Sequence, residues 1–475
     1  MKRPSRRAVR RTALLIPAVC ILAAAFLSGP GCSGREDRSP NIIVVVLDTV
    51  RDDVEHLNQE GQGDPMPTLT RLGEESAVFA NAWSNAPWTL PSHASILTGL
   101  LPSEHGCNGW DPFLSERHRT FGERLSEAGY DAVAFFSTPW LTDSLSGMMR
   151  GFEINYVESR DERLIHGRDG SQGGTASNEN IARWLEGRNE DKPFLMFVNY
   201  LEAHLPYDPS AAMRETYLPD LPRDDVVTTL WAYEYNAGLH PEESVDWERI
   251  RRLYAADASY ADALLSDLVT MLEEHGLLDD SVLIVTSDHG ENLGEYGLMD
   301  HQFGIFETLL DVPLVVRAPG LLPPGIREDP TMLIDIFPTV LEMARVENVP
   351  DLPHARSLLE PPSNPDRPLI AQYSGCNPSL VERMLELNPD LDAESMRAAY
   401  GSVRVGNLRL TVGSDGSNRV EDYATSPEDM IDLKTEGRAV AGALRALLPG
   451  IGRPTGEYEI DEEMREELRS LGYLP

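Results

Sequence analysis

Asn41-Ile42-Ile43-Val44-Val45-Val46-Leu47-Asp48 is the stretch from which the fold can be read. Six aliphatic residues in a row, five of them β-branched, make a strand with no polar face, so both faces must be covered. That is the situation of a strand inside a parallel sheet flanked by helices. Comparable runs recur at residues 132–136, 194–198, 282–286 and 313–316, with helical patterns at 120–128 and 247–275 between them. The alternation predicts a layered α/β fold around a large, mostly parallel central sheet.

Residues 335–344 read as one more helix, and the Pro-rich stretch 349–368 reads as a connection. Beyond it the character changes. Segments 402–405 and 407–412, joined at Gly406 and followed by Asp415-Gly416, predict a small antiparallel sheet. The charged stretch 461–470 reads as a solvated surface helix. The expected organisation is therefore a leader and linker over 1–39, the layered domain over 40–346, and a small C-terminal α+β subdomain over 347–475.

The leader has the pattern of an export signal. Residues 1–11 carry six basic side chains and no acidic one, and the apolar run 13–27 is shorter than the roughly 20 residues a spanning helix needs. Small residues close it, so cleavage and release to the periplasm or cell envelope are expected. Cys32, after Gly29-Pro30-Gly31, offers a second ending: attachment to the membrane by lipid. The pairs Arg6-Arg7 and Arg10-Arg11 leave the export route open between the general and twin-arginine pathways.

Composition restricts the partners. With 475 residues, 41% of them hydrophobic, the chain can bury a large core. Loss of residues 1–32 removes six positive charges and none negative, taking the formal net charge from −36 to −42. A body so acidic excludes nucleic acid as a natural partner and disfavours long polyanions. Besides Cys32, only Cys107 and Cys376 remain in the exported body, and their spacing leaves open whether they pair.

Two acidic residues close predicted buried strands: Asp48 after 42–47 and Asp288 after 282–286. In open α/β sheets ligands bind at that edge. Asp288 is followed by His289 and Gly290, so a carboxylate and an imidazole on one turn can reach a single cation. The third element is Trp88-Thr89-Leu90-Pro91-Ser92-His93, where hydroxyl residues precede a helix expected from about Pro91 to Gly99. Thr89 and Ser92 would serve there as caps. They would also serve in chemistry, since unpaired N–H groups and the dipole at a helix start suit an anionic phosphate or sulfate.

Thr89-Leu90-Pro91-Ser92-His93, followed by Leu97-Thr98-Gly99, resembles the signature of the sulfatase family, within the alkaline phosphatase superfamily. In that signature Cys or Ser, any residue, Pro, Ser and Arg precede a Leu-Thr-Gly ending. The resemblance extends through residues 41–48, His204-Leu205-Pro206-Tyr207, Ser287-Asp288-His289-Gly290-Glu291, residues 294–298, Val312-Pro313-Leu314 and Asp335-Ile336-Phe337-Pro338-Thr339. It reaches Glu421-Asp422-Tyr423 and Ser426-Pro427-Glu428-Asp429, and so covers nearly all of the exported body. Two positions depart from it. Sulfatases convert the first signature residue to formylglycine, which Thr89 cannot become, and the fifth, normally Arg, is His93.

What the resemblance implies is a hydrolase of phosphate-type esters, phosphodiesters or phosphonate esters, with Thr89 as nucleophile, as in threonine branches of the superfamily. A sulfuric ester hydrolase working without formylglycine, or a phospho-group transferase, would use the same residues. A catalytically inactive envelope binding protein would be expected to lack a metal ligand. The resemblance places Asp48, Thr89, Asp288 and His289 around one divalent metal. An imidazole in that set favours manganese, zinc or magnesium over calcium. His204 and His301 are implied to protonate the leaving group and bind charged oxygens, His301 standing where many sulfatases have lysine. His93 and Asn108 are implied to contact substrate, and Thr138 lies near such a position. The substrate is then a small-molecule, lipid-linked or glycan-linked ester, with residues 155–191 and 219–246 shaping the cleft.

Overall fold

The computed structural model describes residues 39–57, 63–157, 171–361, 364–421 and 444–449, together with the backbone of 422 and 426–430. The leader, Cys32 and the stretch 461–470 lie outside the described residues.

Asn41–Leu47 runs through the middle of an eight-stranded sheet. Its neighbours are Phe194–Tyr200 and Ser281–Thr286, both parallel to it. Beyond Phe194–Tyr200 come Asp131–Phe136 and the edge strand Glu153–Tyr156, and beyond Ser281–Thr286 come Leu314–Arg317, Ala77–Phe79 and Gly325–Arg327. Only Leu314–Arg317 runs against its two neighbours.

The aliphatic run divides by alternation. Ile42, Val44 and Val46 face one core, which includes Leu90, Ile96 and Leu97 from helix Thr89–Thr98 and Phe337 and Leu341 from helix Ile336–Met343. Ile43, Val45 and Leu47 face the other, packed by the 28-residue helix Trp247–Glu274 and by Ile181 and Leu185 of Gly174–Gly187. Each buried Ile or Val contributes about 1.5–3 kcal/mol relative to exposure, so the unbroken apolar run is what a two-sided core demands. The long helix also carries polar duty. Asp262 accepts from Thr68 N at 2.8 Å and Leu69 N at 2.9 Å, capping Pro67–Glu74, whose own Met66 cannot cap it.

The second sheet has five antiparallel strands, Leu369–Tyr373, Tyr400–Val405, Leu408–Gly413, Asn418–Asp422 and Ser426–Met430. Gly406, with φ 57°, makes the tight turn between the second and third. Ile370, Val403, Leu410 and Val420 join the same core as Phe337. Three side chains of this part also fasten the loop after His301. Tyr373 Oη and Cys376 Sγ donate to Gln302 O, and Arg409 Nη2, on a fully buried side chain, donates to Ile305 O at 2.8 Å. Cys107 and Cys376 are both buried and unpaired with each other.

Asp335 is the electrostatic tie between the helix Ile336–Met343 and the chain leading to the second sheet. It accepts from Met332 N at 3.0 Å, Arg356 N at 2.9 Å, and both terminal nitrogens of Arg367 at 2.6 and 2.7 Å. Asp335→Ala would leave the Arg367 guanidinium buried without its counter-charge. The expected cost is about 3–5 kcal/mol, read as a lowered urea midpoint with unchanged slope; a midpoint equal to the parent's would refute it.

Candidate active site

The site forms where the central strands stop. Asp48 continues the ladder beyond Leu47, its N–H donating to Tyr200 O at 2.9 Å. The next residue, Thr49, turns away with φ 61°, a left-handed conformation that costs a non-glycine residue about 1–2 kcal/mol. Tyr254 Oη of the long helix holds this turn, donating to Thr49 O at 2.8 Å and accepting from Arg51 N at 2.9 Å.

Asp288 closes the adjacent strand, and its backbone carbonyl accepts from both Ser84 Oγ and Ser92 Oγ. Its Oδ1 accepts from Thr49 N at 3.3 Å and His289 N at 3.0 Å. Its Oδ2 makes no hydrogen bond, yet His93 Nδ1 and His289 Nε2 each lie 3.3 Å from it. Gly290 has no alternative, because a Cβ there would sit 2.0 Å from Thr308 O.

His289 donates through Nδ1 to Gly290 O at 2.9 Å, which fixes the tautomer and turns the Nε2 lone pair into the cluster. Burial pushes this imidazole down to about 3, so it is neutral. Its Nε2 is 3.3 Å from Thr89 Oγ1 and 3.9 Å from Asp48 Oδ1. Asp48 Oδ2 accepts from Asn199 Nδ2 at 3.1 Å, while Oδ1 has no partner. Burial, and then the neighbouring Asp288, push Asp48 up to about 8. Against the pull of burial, His289 and His93 hold Asp288 below the usual carboxylate range.

One donor atom from each of Asp48, Asp288 and His289 lies within 4.8 Å of the others. Two orphaned carboxylate oxygens and one neutral imidazole, all fully buried, suit a small divalent cation.

Thr89 is the first residue of its helix, two positions earlier than the sequence suggests, and Trp88 before it is extended and gives no side-chain cap. Ser92 is committed to Asp288 O, so neither hydroxyl caps this helix. His93, one turn on, reaches Thr89 O with Nδ1 at 2.9 Å and Asn199 Nδ2 with Nε2 at 3.4 Å. Burial pulls His93 down, but Asp288 and Asp48 outweigh it and leave it raised.

His301 and His204 complete the cluster. The His301 ring lies 4.4 Å from that of His289 and 5.0 Å from that of His204. His204 donates through Nδ1 to Leu205 O at 2.7 Å, and burial, with His301 beside it, pushes it down to about 4. Burial also acts downward on His301, but Asp300 and Glu291 prevail and carry it well above the imidazole range.

Asn108 makes its hydrogen bonds outside this group. Its side chain closes its own turn, donating to Gly106 O at 2.6 Å and accepting from Trp110 N at 2.8 Å. Thr138 ends up buried with an unpartnered Oγ1.

Sequence reasoning missed Asn199, Glu291, Asp300 and Arg51. A signal existed for Asn199, the one amide in an apolar strand. Arg51 offered none, although its buried guanidinium holds Glu291 O and Glu295 Oε1, each at 3.0 Å.

Known proteins share this architecture. Arylsulfatase K of Mus musculus is 23% identical over an alignment covering 92% of this chain and 85% of that protein. The choline-sulfatase of Rhizobium meliloti is 25% identical, covering 84% and 83%. Among solved structures, the phosphonate monoester hydrolase of Agrobacterium radiobacter superposes with TM-score 0.66 at 19% identity, over 86% of this chain and 94% of that one. A protein solved with its substrate D-glucosamine-2-N,6-O-disulfate gives TM-score 0.66 at 19% identity, over 86% and 97%. Likeness at these identities speaks to the fold. The sulfatase family model, in turn, matches residues 40–346, well over half of the sequence, and the chain therefore belongs to the sulfatase family of ester hydrolases.

Proposed function

We propose that this enzyme cleaves phosphate-type esters, phosphodiesters or phosphonate monoesters, with Thr89 as its nucleophile. The observation that carries the reading is the position of Thr89 Oγ1, at an uncapped helix start and 3.3 Å from the lone pair of His289 beside Asp48 and Asp288. A divalent cation held by Asp48, Asp288, His289 and Thr89 Oγ1 would supply positive charge for the attacking and ester oxygens; manganese, zinc and magnesium suit these donors better than calcium.

Thr89 Oγ1 gives up its proton and forms a bond to phosphorus as the bond to the leaving-group oxygen breaks and that oxygen takes up a proton. The resulting threonine ester, which keeps the substrate's remaining organic group on phosphorus, is then hydrolysed by water, whose attack returns the hydroxyl to Thr89. His301, with the carboxylates of Asp300 and Glu291 at its Nδ1 and an unpartnered Nε2, enters as the donor to the ester oxygens, which leaves protonation of the leaving group to His204 beside it. His93 lies 3.3 Å from Asp288 Oδ2 and balances its charge. We assign catalysis to residues 40–346, a supporting subdomain to 347–475, and export to the leader. Sulfate ester hydrolysis is the second reading, favoured by the names of the sequence relatives.

Aryl phosphodiester, phosphonate monoester, phosphomonoester and sulfate ester should be compared on the parent, Thr89→Ala and Thr89→Ser. Thr89→Ala is expected to lose at least about 10³-fold in kcat, as removal of a nucleophile does, while Thr89→Ser retains turnover. Phosphorus esters are expected to lead; dominance of the sulfate ester would transfer the assignment to the second reading, and an active Thr89→Ala would end the nucleophile assignment.

Chelation provides a separate check. Stripping divalent metal is expected to abolish turnover and lower the melting temperature, because a cation at a hundredfold excess over its Kd stabilises by about 2.7 kcal/mol. Asp288→Asn should melt at the same temperature with and without manganese or zinc. A metal-induced shift persisting in that variant would place the cation elsewhere.

A further inference from the structure

Nine residues separate Glu291 from His301, and a short β-ribbon brings them back together. Asn292–Leu293 pairs antiparallel with Met299–Asp300 in the register Asn292↔Asp300, so Glu291 and His301 stand opposite each other where the ribbon joins the site. The ribbon is fastened from outside. Asn236 exchanges two hydrogen bonds with the backbone of Met299, at 2.8 and 2.9 Å, and Arg51 holds Glu291 O and Glu295. At its inner end Asp300 has φ 70°, a left-handed conformation in a residue with a side chain, and Asn292 Nδ2 locks it by donating to Asp300 O at 3.0 Å. Strain of this kind persists where the surroundings over-determine it.

What the strained residue delivers is a carboxylate. Asp300 Oδ1 lies 3.0 Å from His301 Nδ1, and Glu291 Oε1 lies 3.3 Å from the same nitrogen. Both carboxylates therefore meet one side of the ring. Nε2 is on the opposite side, fully buried and without a hydrogen-bond partner, on a ring packed against His289 and His204.

We propose that Glu291 and Asp300 are positioning residues, a carboxylate pair carried by the ribbon that grips His301 Nδ1 and thereby aims Nε2 at the anionic oxygens of the ester. The inference rests on the functional reading above for the role of His301. It adds why an imidazole suffices there: a ring clamped at Nδ1 has one direction in which to offer Nε2, whereas a free histidine has many.

The test is a double-mutant cycle on the zinc-loaded protein, with inorganic phosphate as the probe. Its affinity is measured by calorimetry, and kcat and KM are measured where an ester turns over. His301→Ala, Asp300→Asn and Glu291→Gln are each expected to weaken phosphate binding about 10- to 100-fold, the range seen when an orienting partner is removed. Combined with His301→Ala, neither carboxylate substitution should cost more than about 2-fold, because no ring remains to be aimed. Losses that add in full would overturn the proposal, since the carboxylates would then act on something other than His301.

Zinc content decides a further case. One equivalent per chain, unchanged by Asp300→Asn, is expected; two equivalents falling to one would overturn the proposal by making Glu291, Asp300 and His301 a second cation site. Glu291→Gln carries the same cycle if Asp300→Asn does not fold. A parent that binds phosphate but hydrolyses none of the esters counts against the Thr89 assignment alone, whereas a parent that binds no phosphate overturns the aiming of His301 itself.

Discussion

Asp48 and Asp288 stand side by side, fully buried, at the ends of two neighbouring strands, and each has one oxygen without a hydrogen-bond partner. Removing a carboxylate from water without a partner is among the largest penalties a fold can carry. The rest of the site can be understood as management of that charge. Two backbone amides take one oxygen of Asp288, Asn199 takes one of Asp48, and His93 approaches from the helix that delivers Thr89. What is left over is a position for a cation, placed against a hydroxyl at a helix start.

The central sheet was legible because burial on both faces leaves no freedom in composition. An aliphatic, β-branched run such as 42–47, with no polar face, suits a strand covered on both sides. The strands that escaped notice, Ala77–Phe79, Glu153–Tyr156 and Gly325–Arg327, are short and lie at or near the edges, where half-exposed residues blur the pattern. The orientation of Leu314–Arg317 was equally closed to reading, since an apolar strand looks the same in either direction. Helix Thr89–Thr98 begins earlier than expected because its first turn takes up Thr89 and Leu90 ahead of Pro91, with Trp88 outside it.

The candidate site was legible to the extent that its donors follow strands directly. Asp48, Asp288 and His289 needed only the rule that ligands gather at the carboxyl edge. Roles fixed by distant contacts were hidden. The grip of Asp300 on His301 depends on a two-residue ribbon and a left-handed backbone, neither of which leaves a mark in composition. Asn108 shows the opposite limit, for a polar residue in the right neighbourhood turned out to be occupied with its own turn.

The sulfatase family model ends at residue 346, just after helix Ile336–Met343, yet the hydrophobic interior does not end there. Phe337 shares its core with Ile370, Val403 and Leu410, and the chain after His301 hangs from Tyr373, Cys376 and Arg409. The boundary of that matched domain is thus not a limit of folding. A fragment cut at that seam would expose oily surface to solvent and release the backbone on which His301 depends, so the C-terminal sheet serves the site as its scaffold.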